Sequence, residues 1–386
     1  MSTAPPSAQQ VSESRPGRFR RTREFWQRVS EGRDIEDLWS QFVADARSSY
    51  GFYGRDVDWE EVHKLPKWRR PFRIAYQLFW AMMMKLTPAR RVLLLIAIVL
   101  LAISGIRIQS EQFNSEVDFK FISALLFLLL LSLELADKVI MKRDLEIARE
   151  IQSWLVPSAP PVVPDAEIAF WTRPQNSVAG DYYDAFYPEN DGAGGGKLML
   201  VMADVAGKSV PAALLMATLQ ASLHTLASEQ RPLVELAERL NQYACGHSLE
   251  GQRFTTAVIA EYDPATRQLE YVNAGHNAPV LRRKNGSFER LVSSSLPFGI
   301  VPAHSFSSSL VRLQPGDTLV LFTDGVVEAF NSAGEEYSDL RWLNTILSFP
   351  PLSAQDTLHR LMKSVEDFVG NTRQSDDITC LILQSK

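Results

Sequence analysis

Residues 201–213 read VMADVAGKSVPAA. An apolar run ends in a lone acid, Asp204, then passes through a small-residue turn into a helix-like stretch. Gly207-Lys208-Ser209 has the look of a phosphate-loop tail, but that motif needs a glycine five residues before the Gly-Lys pair. Met202 holds that position, inside the apolar run. Without the glycine-rich arc, backbone N–H groups cannot cradle a nucleotide, so Lys208 reads as a solvated turn residue. Asp204 is then the residue to explain.

It has company. Asp324 follows the apolar run DTLVLFT and precedes Gly325; Asp376 and Asp377 stand directly before ITCLIL; Asp181 follows Gly180 in AGDYYDAF, ahead of Asp184. One acid where a strand meets a loop is usually a turn former or a helix cap. Four such places on one sheet system are harder to dismiss, because converging carboxylates repel unless a cation sits among them. The six histidines are scattered, with no His-x-x-His or His-Glu-x-x-His spacing, and Cys245 and Cys380 are the only cysteines. An all-oxygen site selects Mg2+ or Mn2+ over zinc or copper. Two such ions bridged by one carboxylate activate a water and neutralise a phosphoryl group. That chemistry suits phosphate-monoester hydrolysis, among the slowest uncatalysed reactions.

Around these acids the pattern is one of strands with two pairs of helices. Strands are predicted at AEIAFWT, KLMLVMA, FTTAVIAEY, QLEYVNA, APVLRR, SFERLV, FSSSLVRL, DTLVLFT and ITCLILQ, with Asn285-Gly286 as a hairpin signal. Helices are predicted over 210–226, 232–248, 339–347 and 354–368. Long antiparallel runs with helices in blocks predict an α+β layered α-β-β-α sandwich and not a doubly wound parallel sheet.

The front of the chain differs. Basic clusters (RFRRTR, KWRRPFR, Arg90-Arg91) lie in the first hundred residues, whereas the net charge of -5 argues against a nucleic-acid partner. Two apolar segments, with uncharged cores over 92–106 and 121–133, predict a two-helix membrane hairpin. The first reaches spanning length only if residues 87–108 are counted. The outer flanks are more basic than the connecting loop, which predicts both ends in the cytoplasm, a multi-pass membrane protein with the domain beyond the hairpin in the cytoplasm. Residues 1–17 are rich in Ser, Pro and Gln and read as disordered; 20–85 read as cytoplasmic helices, the last of them in the membrane interface. Beyond the hairpin, Leu133, Ile140, Ile147 and Trp154 recur every seven residues in a Gly- and Pro-free stretch. Two readings stand side by side for it: a signalling helix forming a homodimer stalk, or an amphipathic helix packed on its own domain. The resulting division is 1–85, an N-terminal helical region; 86–136, the hairpin; 137–160, the linker helix; and 161–386, the catalytic domain.

The blocks GDYYDAF, ADVAGKSVPAALLMA, FTTAVIAEYD, NAGHNAPVL, LPFGI, GDTLVLFTDGVVEA and SDDITCLIL occur in an order that resembles bacterial metal-dependent Ser/Thr phosphatases of the PPM superfamily, in the SpoIIE/RsbU-type branch, over about residues 145–386. The resemblance implies a protein phosphatase with two Mn2+ or Mg2+ ions acting on a phosphorylated partner protein, an anti-sigma-factor antagonist or similar. Carried over by motif, Asp204 resembles the ligand bridging both metals and the Val205 carbonyl a further ligand. Asp324 and Asp376 resemble ligands of one metal, with Asp377 beside them in a less fixed role. Asp181 resembles the acid that orients the attacking water. Gly180 and Gly325 would let the backbone approach the metals. His276 in NAGHNAP is a recurrent family residue, read here as a turn histidine. Arg173, eight residues before Asp181, is a weak candidate for gripping phosphate, and Ala179 departs from the usual glycine. The rival reading is a non-catalytic pseudophosphatase scaffold.

Overall fold

The computed structural model describes residues 39, 54 and 57–386, except 104–105, 111–112, 118, 189–195, 208, 248–252, 293–294 and 351. The expectations for residues 1–17, and for most of 20–56, fall outside the described residues, as does Lys208. The chain divides into two compact units, 1–137 and 138–386.

In the first unit, α1 (Trp59–Lys64) begins at Asp58, whose side chain accepts the Glu61 amide as an N-cap. It leads to α2 (Arg70–Lys85) and α3 (Pro88–Ile103). A short antiparallel hairpin, β1 (Ile106–Ser110) with β2 (Phe113–Val117), separates α3 from α4 (Phe119–Leu155). The expected extension of the first apolar helix to residue 108 is thus replaced by strand. The stretch IRIQS alternates apolar and polar residues, which is strand periodicity. The 16 residues of α3 rise about 24 Å, short of the ~30 Å hydrocarbon core. By length and composition α4 is a candidate span, and so is the later helix 210–227. The latter is a core helix of the second unit, with Met216, Leu219 and Leu223 buried.

The second unit is built on two five-stranded antiparallel sheets. One has the order β10-β7-β6-β5-β4, the other β3-β12-β11-β8-β9. The first comprises β4 (Tyr182–Phe186), β5 (Leu198–Val205), β6 (Thr255–Asp263), β7 (Gln268–Ala274) and β10 (Ser309–Arg312). The second comprises β3 (Ala166–Arg173), β8 (Val280–Arg282), β9 (Phe288–Arg290), β11 (Thr318–Phe322) and β12 (Ile378–Ser385). Helices α5 (Val210–Ala227) and α6 (Leu233–Gly246) cover the first sheet. After the single-turn α7 (Asp324–Val327), α8 (Asp339–Leu347) and α9 (Ala354–Val369) cover the second.

The side-chain period of two explains the layering. Along β5, Leu198, Leu200 and Met202 enter the core between the sheets, while Met199, Val201, Ala203 and Val205 enter the core under α5 and α6. Both faces are covered, so the strand reads as one apolar run up to Asp204. The result is the predicted α-β-β-α sandwich. Of the strands in this unit, β4 alone goes unmarked in the sequence, because Asp184 interrupts the apolar run of YYDAF. That acid is buried by pairing: Tyr182 Oη donates to Asp184 Oδ2 at 2.7 Å, and His224 Nε2 lies 2.8 Å from the same oxygen.

Candidate active site

Antiparallel register brings the acids to one end of the sandwich. β4 pairs Tyr182 with Ala203, so one further step sets Asp181 opposite Asp204. Asp204 itself pairs with Thr256 of β6. In the other sheet β11 pairs Phe322 with Cys380, and the Thr323 amide donates to the Thr379 carbonyl at 3.1 Å. Asp324 therefore leaves β11 beside the 376–377 segment that enters β12.

Asp181 ties the two sheets together at this end. Its Oδ2 accepts from Thr323 Oγ1 at 2.8 Å and from Thr379 Oγ1 at 2.6 Å, and both threonines are fully buried. Burial pushes the Asp181 carboxyl well up from the ordinary carboxylate value, the charges of Asp204 and Asp377 push the same way, and the two hydroxyls oppose. Neither threonine stood out in the sequence, although each is adjacent in chain to a strand-end motif.

The glycines are demanded by close approach. A Cβ on Gly180 would stand 3.2 Å from the Val205 carbonyl oxygen and 3.8 Å from Asp204 Oδ1. On Gly325 it would run into the Asp377 carbonyl. Any side chain there would force the 324 and 376–377 segments apart. After Val205 the turn passes through Gly207 at φ +121° and Ser209 at φ 65°, the latter a strained conformation for a residue with a Cβ.

Asp377 organises the loop that carries Asp181. Its Oδ1 accepts the Gln175 amide and its Oδ2 the Gly180 amide, both at 2.6 Å. Burial raises its carboxyl, and those amides pull it back. The neighbouring Asp376 Oδ1 accepts the Asp377 amide at 2.9 Å. The residue before Gly180 is held from elsewhere: Gln152, near the end of α4, donates through Nε2 to the Ala179 carbonyl at 2.7 Å and accepts the Ala179 amide through Oε1 at 2.9 Å. One side-chain amide thus satisfies both backbone groups of Ala179. A glutamine in a helix carries no sequence signal for such a contact.

Two other candidates lie at the margin. Arg173 donates through Nε to Gln374 at 2.7 Å and pairs with Glu366 at 3.4 Å. His276 is buried, with its amide donating to Asn273 at 2.9 Å and Nδ1 lying 2.9 Å from Thr256 Oγ1, beside the strand position of Asp204. Burial holds its imidazole down at about 4, against a small upward pull from the Phe322 carbonyl, so it is neutral near pH 7.

Among the described residues, no group of three or more His, Cys, Asp and Glu side chains closes into a ligand set. Asp181 and Asp377 instead lean on hydroxyls and amides, which relieves part of their mutual repulsion. The chemistry nonetheless fits a hard divalent ion. The groups brought to this end are carboxylates and a strand-end carbonyl, an all-oxygen donor set.

Comparison with known proteins agrees with this architecture. The family model described as Stage II sporulation protein E (SpoIIE) matches residues 194–386, half of the chain. The phosphoserine phosphatase RsbU of Bacillus subtilis is 28% identical over 251 residues, covering 64% of this chain and 71% of RsbU. Protein IcfG of Synechocystis is 27% identical over 281 residues; the match takes in 65% of this chain and only 43% of IcfG. In structure, the SiaA-PP2C domain of Pseudomonas aeruginosa superposes with a TM-score of 0.56 at 21% identity, over 65% of this chain and 99% of that domain. With half of its length matched by the family model, and with the layered sandwich of the PP2C fold, the chain belongs to the SpoIIE family.

Proposed function

We propose that this protein is a membrane-anchored, metal-dependent serine/threonine protein phosphatase acting on a phosphorylated partner protein. The observation that carries this reading is the gathering of Asp181, Asp204, Asp324, Asp376 and Asp377 at one end of two sheets, beside Gly325, which admits no side chain, and Gly180, where one would be tight. RsbU, matched over 64% of this chain, bears the name phosphoserine phosphatase. In this reading Asp204, Asp324, Asp376 and the Val205 carbonyl hold two Mn2+ or Mg2+ ions. When bound, such ions lower the pKa of a water and neutralise phosphoryl charge. Asp181, fixed by Thr323 and Thr379, would orient the attacking water. Asp377 and Gln152 keep the Asp181 loop in place. The chain shows no nucleophilic cysteine motif, and a covalent phosphoenzyme is not part of this reading.

The membrane assignment is supported by unit 1. Leu95, Val99, Leu125, Leu128 and Leu131 are exposed on α3 and α4, as lipid-facing residues would be. Ser123 Oγ donates to the Ala97 carbonyl at 2.7 Å across the helix pair. Arg90 bridges Glu134 at 2.8 Å and Asp137 at 2.6 Å at the end of the hairpin, where charge belongs in the interface.

The test is phosphate release from phosphoserine and phosphothreonine peptides with and without Mn2+. Release should require the ion and fall more than about 100-fold in Asp204→Asn and in Asp324→Asn, since even residues behind metal ligands cost 10–100-fold. Absent turnover in the wild type would replace the enzyme with a scaffold, and turnover unchanged in both variants would remove these acids from the site.

A further inference from the structure

We infer that α2 is an interfacial helix that binds the anionic lipid surface of the membrane in which α3 and α4 sit. The inference rests on reading α3 and α4 as membrane spans. Its observation is an inverted burial pattern along α2. Arg70, Arg73 and Gln77, spaced three and four apart, share one face, and that face is the packed one. Arg70 donates to the carbonyls of Leu65 at 3.0 Å and His63 at 2.9 Å, while Arg73 grips both oxygens of Glu61 at 2.7 and 2.8 Å. Gln77 joins the same carboxylate at 3.3 Å.

The opposite face carries Phe72, Ala75, Tyr76, Phe79 and Met82, at the spacing of one helical stripe. It is the exposed one: Phe72 is 74% accessible, Tyr76 57% and Met82 52%. Among the described residues, a helix whose polar side is bonded to its own unit and whose aromatic side faces outward has no apolar partner for that side.

Two features name that partner as lipid. The helix ends at Lys85 and α3 begins at Pro88, so α2 is fixed beside the bilayer by a connection too short to reach elsewhere. No aspartate or glutamate occurs from Val62 through Ser110, while Lys64, Lys67 and Arg69 lead into the helix and are exposed, as is Trp68 at 65%. An aromatic face flanked by unopposed cations matches the headgroup layer of a bilayer containing anionic lipid, with Trp and Tyr at the depth they favour.

The experiment uses the full chain with Cys245→Ala, Cys380 being fully buried and unreactive to a label. A fluorophore is placed at Phe79→Cys or, should that variant misfold, at Phe72→Cys; a second preparation carries it at Leu125→Cys in the span. The protein is reconstituted in vesicles of phosphatidylcholine with or without phosphatidylglycerol, carrying nitroxide lipids at shallow or deep positions. With phosphatidylglycerol, the α2 label should be quenched at least about two-fold, more by the shallow nitroxide than the deep one. The quenching should weaken in high salt, in pure phosphatidylcholine, and in the Lys67→Glu/Arg69→Glu variant. The label at position 125 should be quenched by the deep nitroxide throughout. An unquenched α2 label beside a quenched label at 125 overturns the inference, assigns the aromatic face to a protein partner and leaves the spans intact. Equal quenching with and without phosphatidylglycerol overturns the anionic preference. A label at 125 that no lipid quenches removes the membrane reading and the inference with it.

Discussion

Asp181 is the residue on which the sheets, the charge cluster and the proposed chemistry meet. Its carboxyl is raised in the folded protein, so the metal-free fold binds a proton that the unfolded chain releases above about 3.8. The sign follows: this contribution to stability is full below the unfolded value and is lost as pH rises through the folded one. Asp377 acts in the same direction. His276 acts in the opposite one, weakening the fold as pH falls from 6.5 toward its value of about 4. Comparing wild type with Asp181→Asn in urea denaturation across pH therefore isolates one group. The variant should be more stable than wild type at neutral pH by roughly 1–3 kcal/mol, with the gap closing as acid is added, while Mn2+-dependent turnover falls. Because a bound ion must displace the proton, the stabilisation by Mn2+ should grow with pH more steeply in wild type than in the variant, where Asp377 remains. Identical pH slopes for the two proteins would show that Asp181 carries no raised carboxyl.

At the scale of elements, the site depends on contacts between segments far apart in sequence, and this decides what could be read beforehand. The strand ends were legible, because β5, β11 and β12 are buried on both faces and a lone acid at the end of such a run stands out. Helices α5, α6, α8 and α9 were legible for a related reason, their start and stop residues bracketing unbroken helical stretches. The pairing of Asp181 with Thr323 and Thr379 was not, since a threonine in a strand or just past its end has the same local preference whether or not its hydroxyl meets a carboxylate. Nor was β4, or the 27-residue reach from Gln152 to Ala179. That last contact makes a prediction about α4. Gln152→Ala leaves both backbone groups of Ala179 without their partner, one residue from Gly180 and two from Asp181. Apparent Mn2+ affinity should fall about 10–100-fold, as for other supports behind a metal site. Gln152→Asn, too short to span both bonds, should not rescue it. Turnover at saturating Mn2+ should recover more than affinity does. An unchanged Mn2+ affinity in both variants would reduce the contact to simple packing.

For the whole molecule, the continuity of α4 matters most. One helix of 37 residues, about 55 Å long, begins in an apolar segment and ends within a turn of the residue that holds the Asp181 loop. Gln152 sits on this helix, so the phase of its last turns about the helix axis decides whether the side chain meets Ala179. Leu133, Ile140, Ile147 and Trp154 form a seven-residue column on it, and Ile140, Ile147 and Trp154 are exposed at 59%, 46% and 73%. A second copy pairing along that column would fix the phase of Gln152 relative to Ala179. Fusing residues 145–386 to a dimeric coiled coil in register with the column should then raise turnover over residues 145–386 alone by roughly 5–150-fold, the range of an ordinary coupling energy. Inserting one residue at the junction turns the helix by about 100° and should remove most of the gain, whereas inserting seven restores the heptad phase and should recover it. Equal turnover in the monomer and in all three fusions would mean that α4 tethers the catalytic unit without informing it.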